Sequence, residues 1–219
     1  MVIIDQVTKV YPAVVPVYAL KEVSLKIPDG DFMALAGPSG SGKTTLLNLI
    51  GGLDTPSSGS IEIDGDKIHR LSMSKLSRIR LRKIGFVFQS YNLIPVLTAL
   101  ENVEFVLLLQ GMGLQKRRQL ALSILQEVGL RGYEHTIPTR MSGGQQQRVA
   151  VARAIVSEPA IVLADEPTAN LDSSTAAGLL DMMIELNEQK KITFVFSTHD
   201  PLVMAKASRV VHLRDGMIA

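Results

Sequence analysis

The chain has 219 residues, of which 46% are hydrophobic and none is cysteine. This length and apolar content predict a folded protein with a substantial core, built as one large domain or two intimate lobes. Lysine and arginine total 23 against 21 acidic residues, and a net charge of +2 gives no electrostatic case for nucleic acid as the main ligand. The lack of cysteine excludes disulfides, thiolate metal sites and a cysteine nucleophile.

Neither the interior nor the start of the chain has the features of a membrane or export segment. The most apolar stretch, residues 103–109, is interrupted by Glu104 and is far shorter than the roughly 20 residues that cross a bilayer. Residues 1–5 lack the basic region, the longer apolar run and the cleavage site of a signal peptide. We therefore expect a cytoplasmic chain that does not itself cross a membrane.

The N-terminal third predicts β-structure followed by a strand, a loop and a helix. Proline and glycine punctuate β-favouring runs that predict a small antiparallel sheet, at residues 2–4, 17–20 and 23–27. Residues 32–36 predict a buried strand that leads into a glycine-rich loop. A helix is expected at residues 43–50, where Gly51 and Gly52 end it.

The rest of the chain predicts a helical segment between two stretches of βα alternation. Further strands are expected at residues 60–63 and 84–88, with a basic run between them. The pattern is then helical, with helices predicted at 99–110, 115–128 and 143–157. Strands at 161–164, 192–196 and 209–213, around a helix at 173–188, complete the pattern. Such alternation indicates an α/β fold, with a mainly parallel sheet covered by helices on both faces.

The predicted domain organisation is a single domain over residues 1–219. Residues 1–89 and 158–219 form its α/β core together with the antiparallel β-subdomain. Residues 90–157 are an inserted α-helical subdomain. We find no internal repeat and no low-complexity linker.

The glycine-rich loop matches the phosphate-binding pattern G-x-x-x-x-G-K-[ST], known as Walker A, and reads Gly37-Pro38-Ser39-Gly40-Ser41-Gly42-Lys43-Thr44. A strand before it and a helix after it place backbone N–H groups and a positive helix end around phosphates. Lys43 supplies a cation for phosphate oxygens, and Thr44 supplies a hydroxyl for Mg²⁺. The loop predicts an ATP and Mg²⁺ site in a P-loop NTPase core.

Two carboxylates follow the predicted strand at residues 161–164. Ligands of α/β proteins gather at the carboxyl ends of the strands, so Asp165 is placed to hold Mg²⁺, through water. Glu166 lies one residue further out, where it can polarise a water that attacks the γ-phosphate. Without the phosphate loop, the same pair would indicate only the end of a strand.

A third segment, Ser142-Gly143-Gly144-Gln145, opens a long predicted helix. Ser142 is placed to cap this helix, and the two glycines leave backbone N–H groups accessible at its positive end. That geometry suits an anion. Physical reasoning alone leaves open the simpler alternative of a capped helix without a ligand.

These segments, in this order and over essentially the whole chain, resemble the nucleotide-binding subunit of an ATP-binding-cassette (ABC) transporter. Residues 141–145 resemble the family signature Leu-Ser-Gly-Gly-Gln, with Met141 in place of leucine. Residues 86–104, together with 51–54, most resemble the branch of macrolide-exporter and lipoprotein-releasing ATPases.

The resemblance implies roles for further residues. Gln89 would contact Mg²⁺ and the attacking water, so that Thr44, Gln89 and Asp165 form the metal set. His199 would sense the γ-phosphate beside the catalytic Glu166, Thr45 would join the ATP-binding residues, and Tyr11 would stack on adenine. Taken singly, Gln89 could be a surface amide, His199 structural, and Tyr11 part of the packing of the edge sheet.

The resemblance also implies a dimer and a membrane partner. Two copies would close head to tail, so that Ser142, Gly143, Gly144 and Gln145 act on the ATP of the partner subunit. A separate integral membrane permease would receive the motion and hold the chain peripherally on the cytoplasmic face of the inner membrane. Apolar residues around Pro95 are either its docking surface or core of the helical lobe: Tyr91, Leu93, Ile94 and Leu97. The basic run at 75–83 fits a solvated helix face better than lipid headgroups.

Three other classes compete with this interpretation. A cytosolic non-transport ABC ATPase acting on DNA or ribosomes usually carries a coiled-coil insertion or a second cassette, and neither is present. A GTPase would need the guanine-selecting Asn-Lys-x-Asp pattern, which is absent, and a small-molecule kinase gives no reason for the segment 142–145. A regulatory module that binds ATP without hydrolysis would not need both Glu166 and His199.

Overall fold

The computed structural model describes residues 1–219 as two β-sheets and seven α-helices. The smaller sheet is antiparallel, and its strands in spatial order are β2 (Val17–Ile27), β1 (Val2–Tyr11), β4 (Ser58–Ile63) and β5 (Asp66–Lys67). Strands β1 and β2 are longer than predicted. Gln6 and Glu22 have positive φ at irregularities of this pair, which interrupt the alternation of buried and exposed residues.

The larger sheet is parallel except for one edge strand. Its strands in spatial order are β10 (Met217–Ile218), β9 (Arg209–Arg214), β3 (Phe32–Ala36), β8 (Phe194–Thr198), β7 (Ile161–Asp165) and β6 (Ile84–Phe88). Only β10 runs antiparallel to its neighbour. Strands β3 and β8 are buried at every position, as expected for a sheet covered on both faces.

Most helices cover one face of the larger sheet, whereas the smaller sheet and the helix after β3 cover the other face. The helices are α1 (Lys43–Ile50), α2 (Met73–Lys83), α3 (Ala99–Leu109), α4 (Leu114–Glu127), α5 (Gly143–Ile155), α6 (Ser173–Lys190) and α7 (Pro201–Lys206). One core of 29 buried residues joins α3 to α6 to the larger sheet. A second core of 22 buried residues fills the space between the two sheets and includes the buried side of α1.

The alternation along β8 assigns its side chains to these two cores. Phe194 and Phe196 belong to the helical core, whereas Val195 belongs to the core between the sheets. This alternation decides which side chains at the carboxyl ends of the strands face α1.

The α/β class, the mainly parallel sheet and the antiparallel N-terminal sheet are confirmed. The strand predicted at 192–196 instead occupies Phe194–Thr198, because its pairing with β3 continues through the polar residues Ser197 and Thr198. The short elements β5, α7 and β10 were not predicted. Residues 90–157 contain α3, α4 and α5, and α5 packs on β6 as well as on α3, so the division into subdomains stays a prediction. No helix of the structure combines the length and the hydropathy that a membrane span requires.

Candidate active site

The carboxyl ends of β7 and β8 and the loop after β3 border an open cleft of about 600 Å³, which we call the nucleotide cleft. Its lining combines the phosphate loop with Gln89 after β6, the ends of β7 and β8, and the start of β2. The lining residues are Val17, Tyr18, Ala19, Pro38, Ser39, Gly40, Gly42, Lys43, Thr44, Thr45, Gln89, Asp165, Glu166, Ser197 and His199. A cleft at the carboxyl edge of a parallel sheet is the usual ligand position in α/β proteins.

Neighbouring backbone fixes two glycines of the phosphate loop. Gly42 has a φ of 104°, and a Cβ atom there would lie 2.5 Å from the carbonyl oxygen of Ala19. A Cβ atom on Gly37 would lie 2.2 Å from the carbonyl oxygen of Leu213. Backbone atoms of strands β2 and β9 therefore lie close to the loop on two sides, and only glycine fits at these two positions.

Lys43 and Thr44 begin α1 and face the cleft. The Nζ atom of Lys43 donates to the carbonyl oxygens of Gly37, at 2.8 Å, and Pro38, at 3.0 Å, so it lies across the loop. The Oγ1 atom of Thr44 lies 3.3 and 3.4 Å from the two carboxylate oxygens of Asp165. The loop thus brings a cation, a hydroxyl and a carboxylate to one place.

The donor set at Thr44 and Asp165 fits Mg²⁺ better than a metal held by protein alone. The structure has no cluster of three histidine, cysteine, aspartate or glutamate side chains that could enclose a metal ion. Magnesium in nucleotide sites is typically bound by one or two protein oxygens, with phosphate oxygens and water completing the coordination. Thr44 and Asp165 offer that kind of partial set.

Glu166 and His199 form a pair beside the phosphate loop. His199 Nδ1 lies 2.6 Å from Glu166 Oε1, and an ionised carboxylate can only accept at that distance. Thr198 Oγ1 donates to the other carboxylate oxygen at 3.3 Å, and the backbone N–H of Glu166 donates to Ser197 O at 2.9 Å. Glu166 itself has a φ of 45°, a left-handed conformation that is uncommon for glutamate. Such strain at a fixed carboxylate is typical of functional positions.

Gln89 joins the loop after β6 to the loop after β7. Its backbone carbonyl accepts from Asn170 Nδ2 at 2.9 Å, and its Nε2 atom lies 3.5 Å from Asn170 Oδ1. Gln89 lines the cleft together with the phosphate loop. A displacement of either loop would therefore move this amide relative to Thr44 and Asp165.

The segment Ser142, Gly143, Gly144 and Gln145, which we call the signature segment, begins α5 with a capping box. Ser142 Oγ accepts from the backbone N–H of Gln145 at 3.2 Å, and Gln145 Oε1 accepts from the backbone N–H of Ser142 at 2.9 Å. None of the four residues lines the cleft of the same chain. The structure thus separates the signature segment from the phosphate loop, Asp165 and Glu166.

Tyr11 was expected at the adenine, but it does not line the cleft. Its hydroxyl donates to Asp54 Oδ2 at 2.8 Å, and Lys9 Nζ lies 4.8 Å from the centre of its ring. Burial and the hydrogen bond to Asp54 raise the pKa of Tyr11. Its strand partner Val17 lines the cleft instead, together with Tyr18, which is 57% exposed. The stacking role of Tyr11 stays a prediction.

Sequence reasoning missed Val17, Tyr18 and Ala19, which the smaller sheet brings to the cleft. The only available signal was the apolar, aromatic start of a strand that directly follows Pro16. Nothing in that pattern tells which strand of an antiparallel sheet lies over a distant loop.

Three features define the class of P-loop nucleotide hydrolases: the succession of a strand, a glycine-rich phosphate loop and a helix, and an aspartate and a glutamate at the end of another parallel strand of the same sheet. Comparison with known proteins then gives the family. The family model described as ABC transporter matches residues 20–169. The chain therefore belongs to the ABC transporter family, and it is an ATP-binding ATPase of that family.

Three similar proteins illustrate the relationship. A macrolide export ATP-binding/permease protein MacB of Syntrophobacter fumaroxidans is 46% identical over 206 residues, which are 93% of this chain but only 29% of that protein. A lipoprotein-releasing system ATP-binding protein LolD of Pseudomonas fluorescens is 44% identical over 200 residues, covering 91% and 88% of the two chains. A dimeric structure of the cassette MJ0796, described as a post-hydrolysis state bound to ADP and Pi, superposes with a TM-score of 0.91 at 46% identity, covering 100% of this chain and 96% of that one.

Proposed function

We propose that this chain binds ATP with Mg²⁺, closes as a homodimer around two nucleotides, and drives a separate membrane permease of the exporter or lipoprotein-release type. The observation that carries the proposal is the division of the chemistry within one chain. The phosphate loop lines one cleft together with Asp165, Glu166 and His199. The signature segment begins α5 and does not line that cleft. A second copy would bring the two parts together.

The phosphate loop and its neighbours would hold the nucleotide. Lys43 uses two of its three N–H donors on loop carbonyls, which leaves one for a phosphate oxygen. Mg²⁺, when bound, would neutralise charge between the phosphates. The hydroxyl of Thr44 and the carboxylate of Asp165 would hold it, together with Gln89 of the same cleft. Val17 and Tyr18, beside Tyr11, form the apolar side of the cleft that suits a nucleobase.

Glu166 is the proposed general base. Its Oε1 atom is held by His199 and its Oε2 atom by Thr198, so the carboxylate is oriented before a water arrives. His199 is largely exposed, and its second ring nitrogen is available to a γ-phosphate. Gln89, which lines the same cleft, would orient the same water.

The signature segment would act across the dimer interface. Its capping box satisfies the N–H of Gln145 but leaves the N–H groups of Gly143 and Gly144 at the positive end of a 13-residue helix. These donors suit a γ-phosphate that the partner subunit presents. The dimeric form of the similar cassette MJ0796 supports this arrangement.

The permease would dock in an apolar groove of about 580 Å³ between α2, β6, α3 and α5. Fourteen residues line it: Leu53, Ser77, Arg80, Leu81, Ile84, Gly85, Phe86, Phe88, Asn92, Val106, Leu109, Arg153, Ala154 and Ser157. Exposed apolar side chains of α3 continue the surface, including Phe105 and Leu108. The surface expected around Pro95 is mostly half-buried, so we place the main contact in this groove. Docking here would hold the chain on the cytoplasmic face of the membrane.

A trapped dimer tests the composite site. Glu166→Gln keeps the shape of the side chain but removes the base, so the ATP-bound dimer should accumulate and elute at twice the monomer mass in size-exclusion chromatography with saturating ATP and Mg²⁺. The matched control is the same variant with Ser142→Arg, which places a bulky cation at the proposed interface and should remain monomeric while still binding ATP. A monomeric Glu166→Gln chain, or a double variant that still dimerises, would contradict the proposal.

Co-purification identifies the membrane protein that the chain is proposed to drive. Purification of the chain from detergent-solubilised membranes should yield one integral membrane protein, and Leu109→Glu in the groove should abolish its recovery. ATP hydrolysis by the isolated chain should not change in that variant, because Leu109 lines the groove and not the nucleotide cleft. Recovery of the same membrane protein with Leu109→Glu would remove the groove from the proposal.

A further inference from the structure

Ser197 carries a buried hydroxyl group without a hydrogen-bond partner, at the edge of the nucleotide cleft. Five side chains of the structure contain a buried polar atom that lacks a partner: Ser41, Glu104, Arg117, Gln147 and Ser197. Of these, only Ser197 lines the nucleotide cleft. Its residue is fully buried at the second-last position of β8. A buried hydroxyl that makes no bond destabilises the fold, and such exceptions ask for a functional explanation.

The register of the sheet places Ser197 beside Asp165. The two residues are direct partners on the parallel strands β7 and β8. The preceding partners of the same parity, Leu163 and Val195, both point into the core between the sheets. Side chains alternate along a strand, so Asp165 and Ser197 lie on that same face. Neighbouring strands are about 4.8 Å apart, and a rotation of the side chains therefore brings hydroxyl and carboxylate into hydrogen-bond distance.

We propose that Ser197 is a positioning residue whose hydroxyl donates to the carboxylate of Asp165 when ATP and Mg²⁺ are bound. The proposal rests on the function proposed above. In the structure, Thr44 Oγ1 has a long contact with both carboxylate oxygens of Asp165, at 3.3 and 3.4 Å. Thr44 has a single proton for these two oxygens, and it keeps that proton when a lone pair of its oxygen faces a cation, so one oxygen of Asp165 can accept from a second donor. Ser197 is the neighbouring donor with an unused proton on the same face of the sheet.

The experiment measures stability and Mg²⁺ binding in the purified chain without turnover. Ser197→Ala deletes the hydroxyl and leaves no new unpaired group. The matched control is Thr193→Val, because Thr193 is also a buried hydroxyl residue beside β8, but its Oγ1 accepts from the N–H of Gly30 at 2.9 Å. Melting temperatures are recorded without nucleotide, and then with a non-hydrolysable ATP analogue over a range of Mg²⁺ concentrations.

Ser197→Ala should separate the two readouts. Its melting temperature without nucleotide should not fall, because no bond is lost. The Mg²⁺ concentration that gives half of the nucleotide-induced stabilisation should rise about tenfold, because one hydrogen bond to a charged group is lost. Thr193→Val should do the opposite, with a lower melting temperature and an unchanged Mg²⁺ midpoint. Rescue by Ser197→Thr, which retains a hydroxyl, should restore the midpoint.

Two results would overturn the assignment of Ser197. One is an unchanged Mg²⁺ midpoint in Ser197→Ala, and the other is a fall in its nucleotide-free melting temperature like that of Thr193→Val. Thr44→Val separates this failure from that of the Mg²⁺ site. A shifted midpoint in Thr44→Val but not in Ser197→Ala removes only the role of Ser197, whereas an unchanged midpoint in both removes the Mg²⁺ site itself.

Discussion

Replacing Arg153 with methionine should weaken the structural link between the nucleotide cleft and the apolar groove that we propose for the permease. Arg153 lies in α5 and lines the groove, and its guanidinium donates to the carbonyl oxygens of Asn92, at 2.5 Å, and Tyr91, at 2.9 Å. Both acceptor residues have left-handed backbone angles, with φ of 49° and 59°. They directly follow the loop that carries Gln89. No carboxylate pairs with Arg153, and burial lowers its pKa.

The expected loss of stability is modest because the gains and costs partly cancel. Two hydrogen bonds from a charged group contribute about 3–4 kcal/mol together. The desolvation of the guanidinium and the strain of two left-handed residues offset about 2 kcal/mol of this. The free energy of unfolding should therefore fall by about 1–2 kcal/mol, which lowers the melting temperature by roughly 3–6 °C in a chain of this size.

Turnover should fall more than stability implies. Without the guanidinium the segment at Tyr91 and Asn92 relaxes, so Gln89, which stands just before this segment, is no longer held in place at the cleft, and kcat should fall at least about tenfold while KM for ATP changes little. Arg153→Lys keeps a positive charge and N–H donors but not the planar fork of the guanidinium, and should recover part of the rate. Steady-state ATP hydrolysis below the melting temperature measures both quantities.

Arg148→Met is the control for a purely structural arginine of the same helix. Arg148 also donates to two carbonyl oxygens, those of Val128 at 2.8 Å and Gly178 at 3.1 Å, but these lie away from the nucleotide cleft. Its loss should lower the melting temperature and leave kcat within about twofold of the wild type. Equal effects of the two substitutions on kcat would refute the link from Arg153 to Gln89.

Three further substitutions test the phosphate loop, the Lys9–Asp54 ion pair and a helix cap. Gly42→Ala places a Cβ 2.5 Å from the carbonyl oxygen of Ala19 at a φ of 104°, so a fluorescent ATP analogue should no longer bind; retained affinity would show that the loop can shift. Burial alone would raise the pKa of Asp54, but hydrogen bonds from Lys9 and Tyr11 outweigh it and lower the pKa. That stabilisation is present above the unfolded pKa of about 4 and is lost as the pH falls below it, so the stability deficit of Asp54→Asn in urea unfolding should shrink between pH 5 and pH 3. A constant deficit would contradict this. Thr98→Ala removes a capping box with Glu101 and should cost about 1 kcal/mol in the same assay, with unchanged ATP hydrolysis; a cost near zero would mean that water replaces the cap.

Glycines, capping residues and polar segments at the ends of elements made part of the fold predictable. The helix expected at 43–50 has the observed bounds of α1, because glycines stand at both of its ends. The start of α5 at Gly143 follows from the capping residue Ser142. The strand at 84–88 is β6, since its apolar residues lie between a basic helix and a polar loop. In each case the deciding interactions are local in sequence.

Features that depend on distant segments were not predictable. Strand β8 extends to Thr198 because β3 supplies backbone partners for its polar end, and this pairing leaves no trace in the hydropathy of residues 197 and 198. The phosphate loop, Asp165, Glu166, Gln89 and His199 were expected at one site and do line one cleft. Their roles there remain predictions. Strand β2 contributes to that cleft because of the way the two sheets stack. The hydrophobic periodicity of the sequence does not indicate this stacking.

The separation of the signature segment from its own cleft has a genetic consequence. A chain with Lys43→Ala has a defective phosphate loop but an intact signature segment, and a chain with Ser142→Arg has the reverse. In the proposed head-to-tail dimer of one of each, both defects would fall into the same site, and the other site would be assembled from two undamaged halves. Two alleles that are each inactive should therefore complement one another when expressed together, which no enzyme with its site inside one chain can do.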